Sequence, residues 1–345
     1  MRIVVRGANW IGDAVMSIPA LREIRRIFPG AYIALHTRSW AKGIFLDADF
    51  LDELITYERT GSGLTNWFGQ GRVLRKARFD VAIVFPNSFE SALTMKWAGV
   101  KRRFGYSRDA RRLLLTDPVS IPAWKNHRHE VYYYLNLVAE VARAFRSTET
   151  VTEQEPITEL PVSQGRRERA KKIIAELGAN LSRPTIALGV GSTNSRAKRW
   201  PPENYAGLND RLQTQLGVNV ILVGSNDEKD VSNMIVEIAQ RKPFVLTGKT
   251  DLDEAAALLS EIDLFISNDM GLAHIAPAVG TKTLVIFGPT DPNTTAPFSP
   301  LSKVIREEVE CSPCMLRDCP IDHRCMTRVS VQRVFEMAED ELSRL

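Results

Sequence analysis

The chain predicts a two-domain α/β fold in which each half is a doubly wound parallel sheet. Three observations carry this expectation. Short apolar runs alternate with amphipathic helical stretches along the whole chain, as parallel βαβ units with right-handed crossovers require. The rhythm stops once, in the Thr-, Glu-, Gln- and Pro-rich stretch "RSTETVTEQEPITELPVSQG" at 146–165, and then restarts. A length of 345 residues is too great for one ordinary open-sheet domain and suits two. The expected division is a first domain over 1–150, a linker over 151–165, a second domain over 166–330 and a terminal helix over 331–345.

In the first half, Arg2-Ile3-Val4-Val5-Arg6 reads as a buried strand. It runs through "GANWIGDAVMSIPAL" (7–21) into a helix whose apolar residues Val15, Ile18, Leu21, Ile24 and Ile27 recur at helical spacing. Further strands are expected over 31–36, 54–57 and 80–85, and a helix over 129–145. In the second half a basic amphipathic helix, "RRERAKKIIAELG", leads into the strands "TIALGVG", "VNVILVG", "FVLTG", "DLFISND" and "TLVIFG". Two such domains enclose a cleft.

Hydrophobic residues make up 44% of the chain and charged residues 25%, a soluble globular balance. Lys and Arg number 45 against 41 Asp and Glu, and a net charge of +4 gives no argument for nucleic acid. No tripartite leader pattern opens the chain and no apolar run approaches membrane-spanning length, so a cytoplasmic location is expected.

Several near-motifs fail on inspection. Gly189-Val190-Gly191-Ser192-Thr193-Asn194 lacks the third glycine of a dinucleotide fingerprint and opens no helix. "PFVLTGKT" (243–250) has Pro243 where a P-loop needs glycine, and Thr250 or Asp251 reads as a helix N-cap. The triplets Asp47-Ala48-Asp49 and Asp251-Leu252-Asp253 follow no buried strand end and read as turn and helix-start carboxylates.

Three sites remain, each at the carboxyl end of an expected strand, where open α/β sheets bind ligands. The first is Asp13. Its position fits either a helix-start carboxylate or a general base kept ionised by the positive helix end. The second is Lys198-Arg199-Trp200-Pro201 with Thr193 and Asn194 just before it: cations, a hydroxyl and an amide on a loop anchored by Trp-Pro suit a diphosphate. The third is "SNDMGLAHIAPAVG" (267–280), where Asp269 ends a strand, Gly271 permits close backbone approach, and a helix starts near Leu272 with His274 in its first turn. An activated sugar with a nucleotide diphosphate leaving group fits this set. The second and third sites would meet the departing charge, and Asp13 would deprotonate an acceptor hydroxyl for inverting displacement.

"GANWIGDAVMSIPAL", "AKRWP", "SNDMGLAHIAPAVG" and "FGPTDP" (287–292) occur in the order and spacing that resemble the bacterial ADP-heptose:lipopolysaccharide heptosyltransferases of glycosyltransferase family 9. "FPNSFESAL" (85–93) resembles the heptosyltransferase II branch. The resemblance runs from residue 1 to the terminal helix. It implies the GT-B fold, and an inverting, metal-independent transfer of L-glycero-D-manno-heptose from ADP-heptose to heptosyl-Kdo2-lipid A, with no cofactor for the transfer. It implies Asp13 as base and Thr193, Asn194, Lys198, Asp269, Gly271, Leu272 and His274 on the donor side. On the acceptor side it brings Asn9, Trp10, Asn87, Ser88, Arg103, Arg108 and Arg111, and it has the helix Val331–Leu342 cross back to the first domain. The chain departs from the family pattern at Met270, where Ser or Thr is usual, at Val190, where proline is usual, and at Asn226, where some members carry an acid.

"KRRFGYSRDARR" (101–112) holds six cations, one acid and two aromatic residues. A solvated loop and a single-strand nucleic-acid patch both fit that composition. The resemblance favours an acidic acceptor and peripheral attachment to the anionic inner face of the inner membrane, with no nucleic acid. Cys311, Cys314, Cys319 and Cys325, spaced C-x2-C-x4-C-x5-C, fit a structural zinc or iron–sulfur site or a knot of reduced or disulfide-linked thiols. Rival readings are a transferase of the same fold with another nucleotide sugar or acceptor, a sugar-nucleotide epimerase, and a nucleotide- or nucleic-acid-binding protein without turnover.

Overall fold

The computed structural model describes the chain except residues 59–62, 109, 148–150, 152–155, 194 and 345 and the side chains of 63–66. Part of the expected linker, and Asn194, therefore lie outside the described residues. The chain forms two compact units, Met1–Thr158 and Glu159–Leu345.

The first unit contains β1 (Arg2–Arg6), α1 (Ile11–Met16), α2 (Ile18–Ile27), β2 (Tyr32–Arg38), α3 (Lys42–Phe45), β3 (Glu53–Tyr57), α4 (Gly63–Ala77), β4 (Val81–Val84), α5 (Phe89–Trp97), β5 (Arg102–Tyr106), β6 (Asp117–Val119) and α6 (Glu130–Ala144). Its strands pair in parallel in the order β3-β2-β1-β4-β5-β6. The central strands are continuous apolar runs because helices cover both faces; Val4, Ala34, Ala82 and Val84 pack with Leu74 of α4 and Met95 of α5.

The second unit contains α7 (Gln164–Glu176), β7 (Thr185–Gly189), α8 (Pro202–Arg211), β8 (Asn219–Val223), α9 (Lys229–Ile238), β9 (Phe244–Val245), α10 (Leu252–Leu259), β10 (Leu264–Asn268), α11 (Gly271–Ala278), β11 (Lys282–Phe287), α12 (Pro292–Thr295), β12 (Ser302–Arg306), α13 (Arg324–Thr327) and α14 (Val331–Leu342). The strand order β12-β11-β10-β7-β8-β9 repeats the first unit's topology. The winding direction reverses between β1 and β4 in one unit and between β7 and β10 in the other. Loops leave those strand ends in opposite directions, which opens the crevice where such sheets take ligands.

Three strands escape the sequence pattern. β5, β6 and β12 are short and carry charges, but each pairs with an apolar neighbour. β5 corrects the reading of the basic run, because Phe104 and Tyr106 are core residues, each 1% exposed. The terminal helix α14 contributes Val334, Phe335 and Ala338 to the second unit's core, with Trp200 and Ile266. Lys303 and Lys282 secure its end through Glu341.

Asn268 holds the end of β10. Its Oδ1 accepts from Trp200 N at 2.9 Å, and its Nδ2 donates to the carbonyls of Val190 and Gly191, both at 3.1 Å. Asn268→Ala removes all three bonds and leaves buried backbone groups unpaired, at a cost of about 2–4 kcal/mol. Urea unfolding of the variant tests this, and an unchanged midpoint contradicts it.

Candidate active site

At the β7/β10 switch point, Asp269 is 6% exposed and gathers two loops. Lys198 Nζ lies 2.6 Å from its Oδ2, and Thr290 Oγ1 donates to the same oxygen at 2.7 Å. Lys198 is half-buried at the end of a short 3-10 turn, and Thr290 follows β11. An ammonium has three protons, and the Asp269 contact uses one. The following helix, α11, begins at Gly271 with Met270 as an N-cap that makes no side-chain capping bond. Its first-turn amides and Lys198 together suit an anion. Leu272 and His274 are buried in α11, and Thr193 is exposed on the β7 loop.

The cysteine segment fixes this loop, a role sequence reasoning missed. Arg317 O accepts from Ala197 N at 2.9 Å and from Ser195 Oγ at 3.1 Å, and Asp318 pairs with Arg196 at 2.6 Å. His323 Nε2 sits 2.6 Å from Ala197 O. The cysteines are free thiols: Cys311 and Cys314 exposed, Cys319 half-buried, Cys325 buried. Burial and the neighbouring thiols push Cys325 up to about 11. Among the described residues no group of three or more His, Cys, Asp and Glu is arranged to hold a metal ion, so the zinc or iron–sulfur expectation finds no support.

A second missed residue is Glu228, at the carboxyl end of β8. It caps its own turn by accepting from Ser225 N at 2.6 Å, while Oε1 is buried without a hydrogen-bond partner. Gly191 makes room for it: a Cβ there would stand 1.9 Å from that oxygen. The acid on this loop that meets the glycine turn is thus Glu228, two residues beyond Asn226. Burial raises its pKa, opposed by Ser225 and Arg199.

In the first unit Asp13 is half-buried in the first turn of α1. Tyr134, buried on α6, donates from its hydroxyl to Asp13 Oδ1 at 3.3 Å, and burial and Asp13 hold that phenol well above its ordinary pKa. The bond therefore stays formed at neutral pH and orients the carboxylate. Asn9 and Trp10 are exposed beside it. Ser88 Oγ caps α5 by accepting from Ser91 N at 3.3 Å, and Asn87 Nδ2 donates to Tyr133 Oη at 3.2 Å.

The basic run needs correction as an acceptor patch. Arg111 is fully buried and donates to the carbonyls of Tyr106 and Pro86 and to Asn87 Oδ1. Arg103 donates to Leu114 O at 2.7 Å and to Val100 O. The Arg103 guanidinium is spent on backbone carbonyls, and that of Arg111 on two carbonyls and the Asn87 amide oxygen. Arg108 is exposed, near enough to Tyr133 to interact with it electrostatically. The rejected motifs also have structural partners: Asp251 is the capping-box N-cap of α10, and Asp253 pairs with buried Arg166 at 2.5 Å.

Glu228 yields a stability test. Its raised pKa means that no penalty exists below the ordinary value of 4.5, where folded and unfolded chains are both protonated. The penalty grows as pH rises from there through the folded pKa. Glu228→Gln is therefore expected to melt roughly 2–4 °C above wild type at neutral pH, with the gap closing toward pH 4. A constant gap across that range contradicts the assignment.

Comparison with known proteins follows the same division into elements. The chain is 30% identical over 319 residues to lipooligosaccharide heptosyltransferase 2 of Haemophilus ducreyi, covering 89% of this chain and 88% of that one. It is 30% identical over 316 residues to lipopolysaccharide heptosyltransferase 2 of Escherichia coli K12, with the same coverage. The solved structure of E. coli ADP-heptose lps heptosyltransferase II superposes with a TM-score of 0.85 at 28% identity, covering 100% of this chain and 99% of that one. A glycosyltransferase family 9 structure from Veillonella parvula gives the same TM-score at 21% identity, covering 100% and 97%, a likeness of fold. The model of glycosyltransferase family 9 (heptosyltransferase) matches residues 67–324. The chain, with its two doubly wound units of the GT-B kind, belongs to glycosyltransferase family 9, the heptosyltransferases.

Proposed function

We propose that this enzyme transfers L-glycero-D-manno-heptose from ADP-heptose to the inner core of lipopolysaccharide, adding the second heptose to heptosyl-Kdo2-lipid A with inversion at the anomeric carbon. The observation that carries the reading is the Lys198–Asp269–Thr290 cluster beside the uncapped start of α11, at the switch point of the second unit. The relatives support the sugar and the acceptor class: heptosyltransferase 2 enzymes match over most of their length, and the E. coli structure is named for ADP-heptose.

In this reading Asp269 holds Lys198 so that its remaining protons meet the diphosphate, while the first-turn amides of α11, from Gly271 and Leu272, meet the same anion. Thr193 adds a hydroxyl, His274 lies within the same helix turn, and Glu228 Oε1 accepts from a hydroxyl of the nucleoside. Asp13, oriented by Tyr134, takes the proton from the acceptor hydroxyl. The acceptor oxygen forms its bond to the anomeric carbon as the bond to the phosphate oxygen breaks, and the electron pair leaves with ADP. Lys198 and the helix amides stabilise that developing charge, where a preorganised donor is worth most. Asn9, Trp10, Asn87, Ser88 and Arg108 lie on the acceptor side.

Because the acceptor carries lipid A, the enzyme works in the cytoplasm as a peripheral protein at the inner face of the inner membrane. Among the described residues no helix is long and apolar enough to cross a membrane.

ADP release from ADP-heptose, with and without heptosyl-Kdo2-lipid A, tests the reading. Wild type should release ADP only with acceptor, and Asp13→Asn should lose about 10²–10⁴ in rate. Tyr134→Phe, which keeps the carboxylate but loosens it, should fall by roughly tenfold in kcat with little change in donor KM. Equal, acceptor-independent release by wild type and Asp13→Asn would point to hydrolysis or epimerisation instead.

A further inference from the structure

The first unit brings together two cations that the transfer does not use, buried Arg6 and half-buried Arg38, whose Nε is out of solvent. Arg6 ends β1, its register partner His36 lies on β2, and Arg38 and Tyr57 are register partners on β2 and β3. Residues two apart on a strand share a face, so these side chains gather at the carboxyl edge of the sheet, under α4. Arg6 is 3% exposed and His36 1%. One guanidinium nitrogen of Arg6 lies 2.8 Å from His36 Nδ1 and 2.8 Å from Gln70 Oε1, and the guanidinium lies 4.0 Å from the centre of the Tyr57 ring. Burial and Arg6 hold His36 well below its ordinary pKa, so the ring is neutral and brings no compensating or additional charge.

Three donors of this arrangement find no acceptor among the described residues. Arg6 Nε, Arg38 Nε and Gln70 Nε2 are buried and make no hydrogen bond. Among the described residues neither Arg6 nor Arg38 forms an ion pair. Arg6 and Arg38 repel one another electrostatically, and the carboxylate that Arg6 feels is Glu90, with which it forms no ion pair among the described residues. A buried guanidinium left unpaired is costly, and removing one partner of such a pair is among the most destabilising changes known. Two guanidiniums without an anionic partner, each with a buried unsatisfied Nε, beside an unsatisfied amide N–H make a site whose chemistry suits an oxyanion. Planar guanidinium forks match carboxylate and phosphate oxygens better than any other anion.

We propose that Arg6, Arg38 and Gln70 form an oxyanion-binding site in the first unit, built for a carboxylate or phosphate group. Two sources carry that chemistry: an acidic group of the saccharide acceptor, and free inorganic phosphate. Naming the acceptor as a source rests on the transferase reading; the anion site itself does not.

Titration of the full chain with sodium phosphate at constant ionic strength, and separately with heptosyl-Kdo2-lipid A in detergent, is the test, read as the unfolding temperature and as tryptophan fluorescence. Wild type is expected to show a saturable response to at least one of them. Arg6→Met and Arg38→Gln should each weaken it by tenfold or more, while the fluorescence response to ADP is unchanged. If phosphate alone saturates the site, the source is the free ion; if only the acceptor does, the source is the saccharide. Should Arg6→Met fail to fold, Arg38→Gln decides by itself. The proposal is overturned if neither ligand gives a saturable response in wild type, or if Arg38→Gln responds as wild type does. Acceptor-dependent ADP release in the same preparations separates the two readings, because turnover without anion binding removes this inference and leaves the transferase standing.

Discussion

Two consecutive residues at the carboxyl end of one central strand organise the switch point of the second unit. Asn268 fastens the backbone of the β7 loop and of Trp200, and Asp269 fastens Lys198 and Thr290. β10 is among the most deeply buried strands of its sheet, so these side chains project from a rigid base. A buried carboxylate is tolerated there because its cation and a hydroxyl are already in place. The result is a corner in which Lys198 and the first turn of α11 are fixed in place, which is the condition under which charge stabilisation is effective. The segment carrying the four cysteines extends the same logic: the Arg317 carbonyl and Asp318 hold the 195–198 turn from outside.

The first unit solves a different problem with the same topology. Its switch-point loop carries a single acid, and a buried tyrosine holds that acid in one orientation. A carboxylate there repels phosphate and suits a hydroxyl that must lose a proton. The same strand order thus serves opposite electrostatics, because each unit places a different side chain at an equivalent strand end. The buried Arg6–His36 contact shows that the first unit also carries positive charge, on the face under α4.

Much of this was legible in the sequence. Strands buried on both faces read as unbroken apolar runs, so their number and spacing implied doubly wound halves. Ligand-binding loops in such sheets lie at strand ends, which singled out Lys198, Asp269 and Asp13. What escaped did so for identifiable reasons. Glu228 looks like an ordinary capping acid, and only the close approach of Gly191 shows that one of its oxygens is unspent. Tyr134 sits among core aromatics on a helix and is distinguished by one hydrogen bond. Arg103 and Arg111 misled because charge suggests solvent, yet a guanidinium can serve five acceptors and here serves carbonyls of an irregular turn. The short strand β5 was hidden inside the same run, its Phe104 and Tyr106 being core residues spaced for a strand.

The central claim is that Lys198, oriented by Asp269, holds the diphosphate of the donor. Calorimetric titration of ADP into wild type and Lys198→Gln tests it most directly, since glutamine keeps a hydrogen-bonding group beside Asp269 while removing the charge. A charge-assisted hydrogen bond contributes about 1.5–3 kcal/mol, so the variant, titrated below its own unfolding temperature, should bind ADP roughly 10- to 100-fold more weakly. Equal affinity in the two proteins would contradict the account and move the phosphate site elsewhere in the second unit.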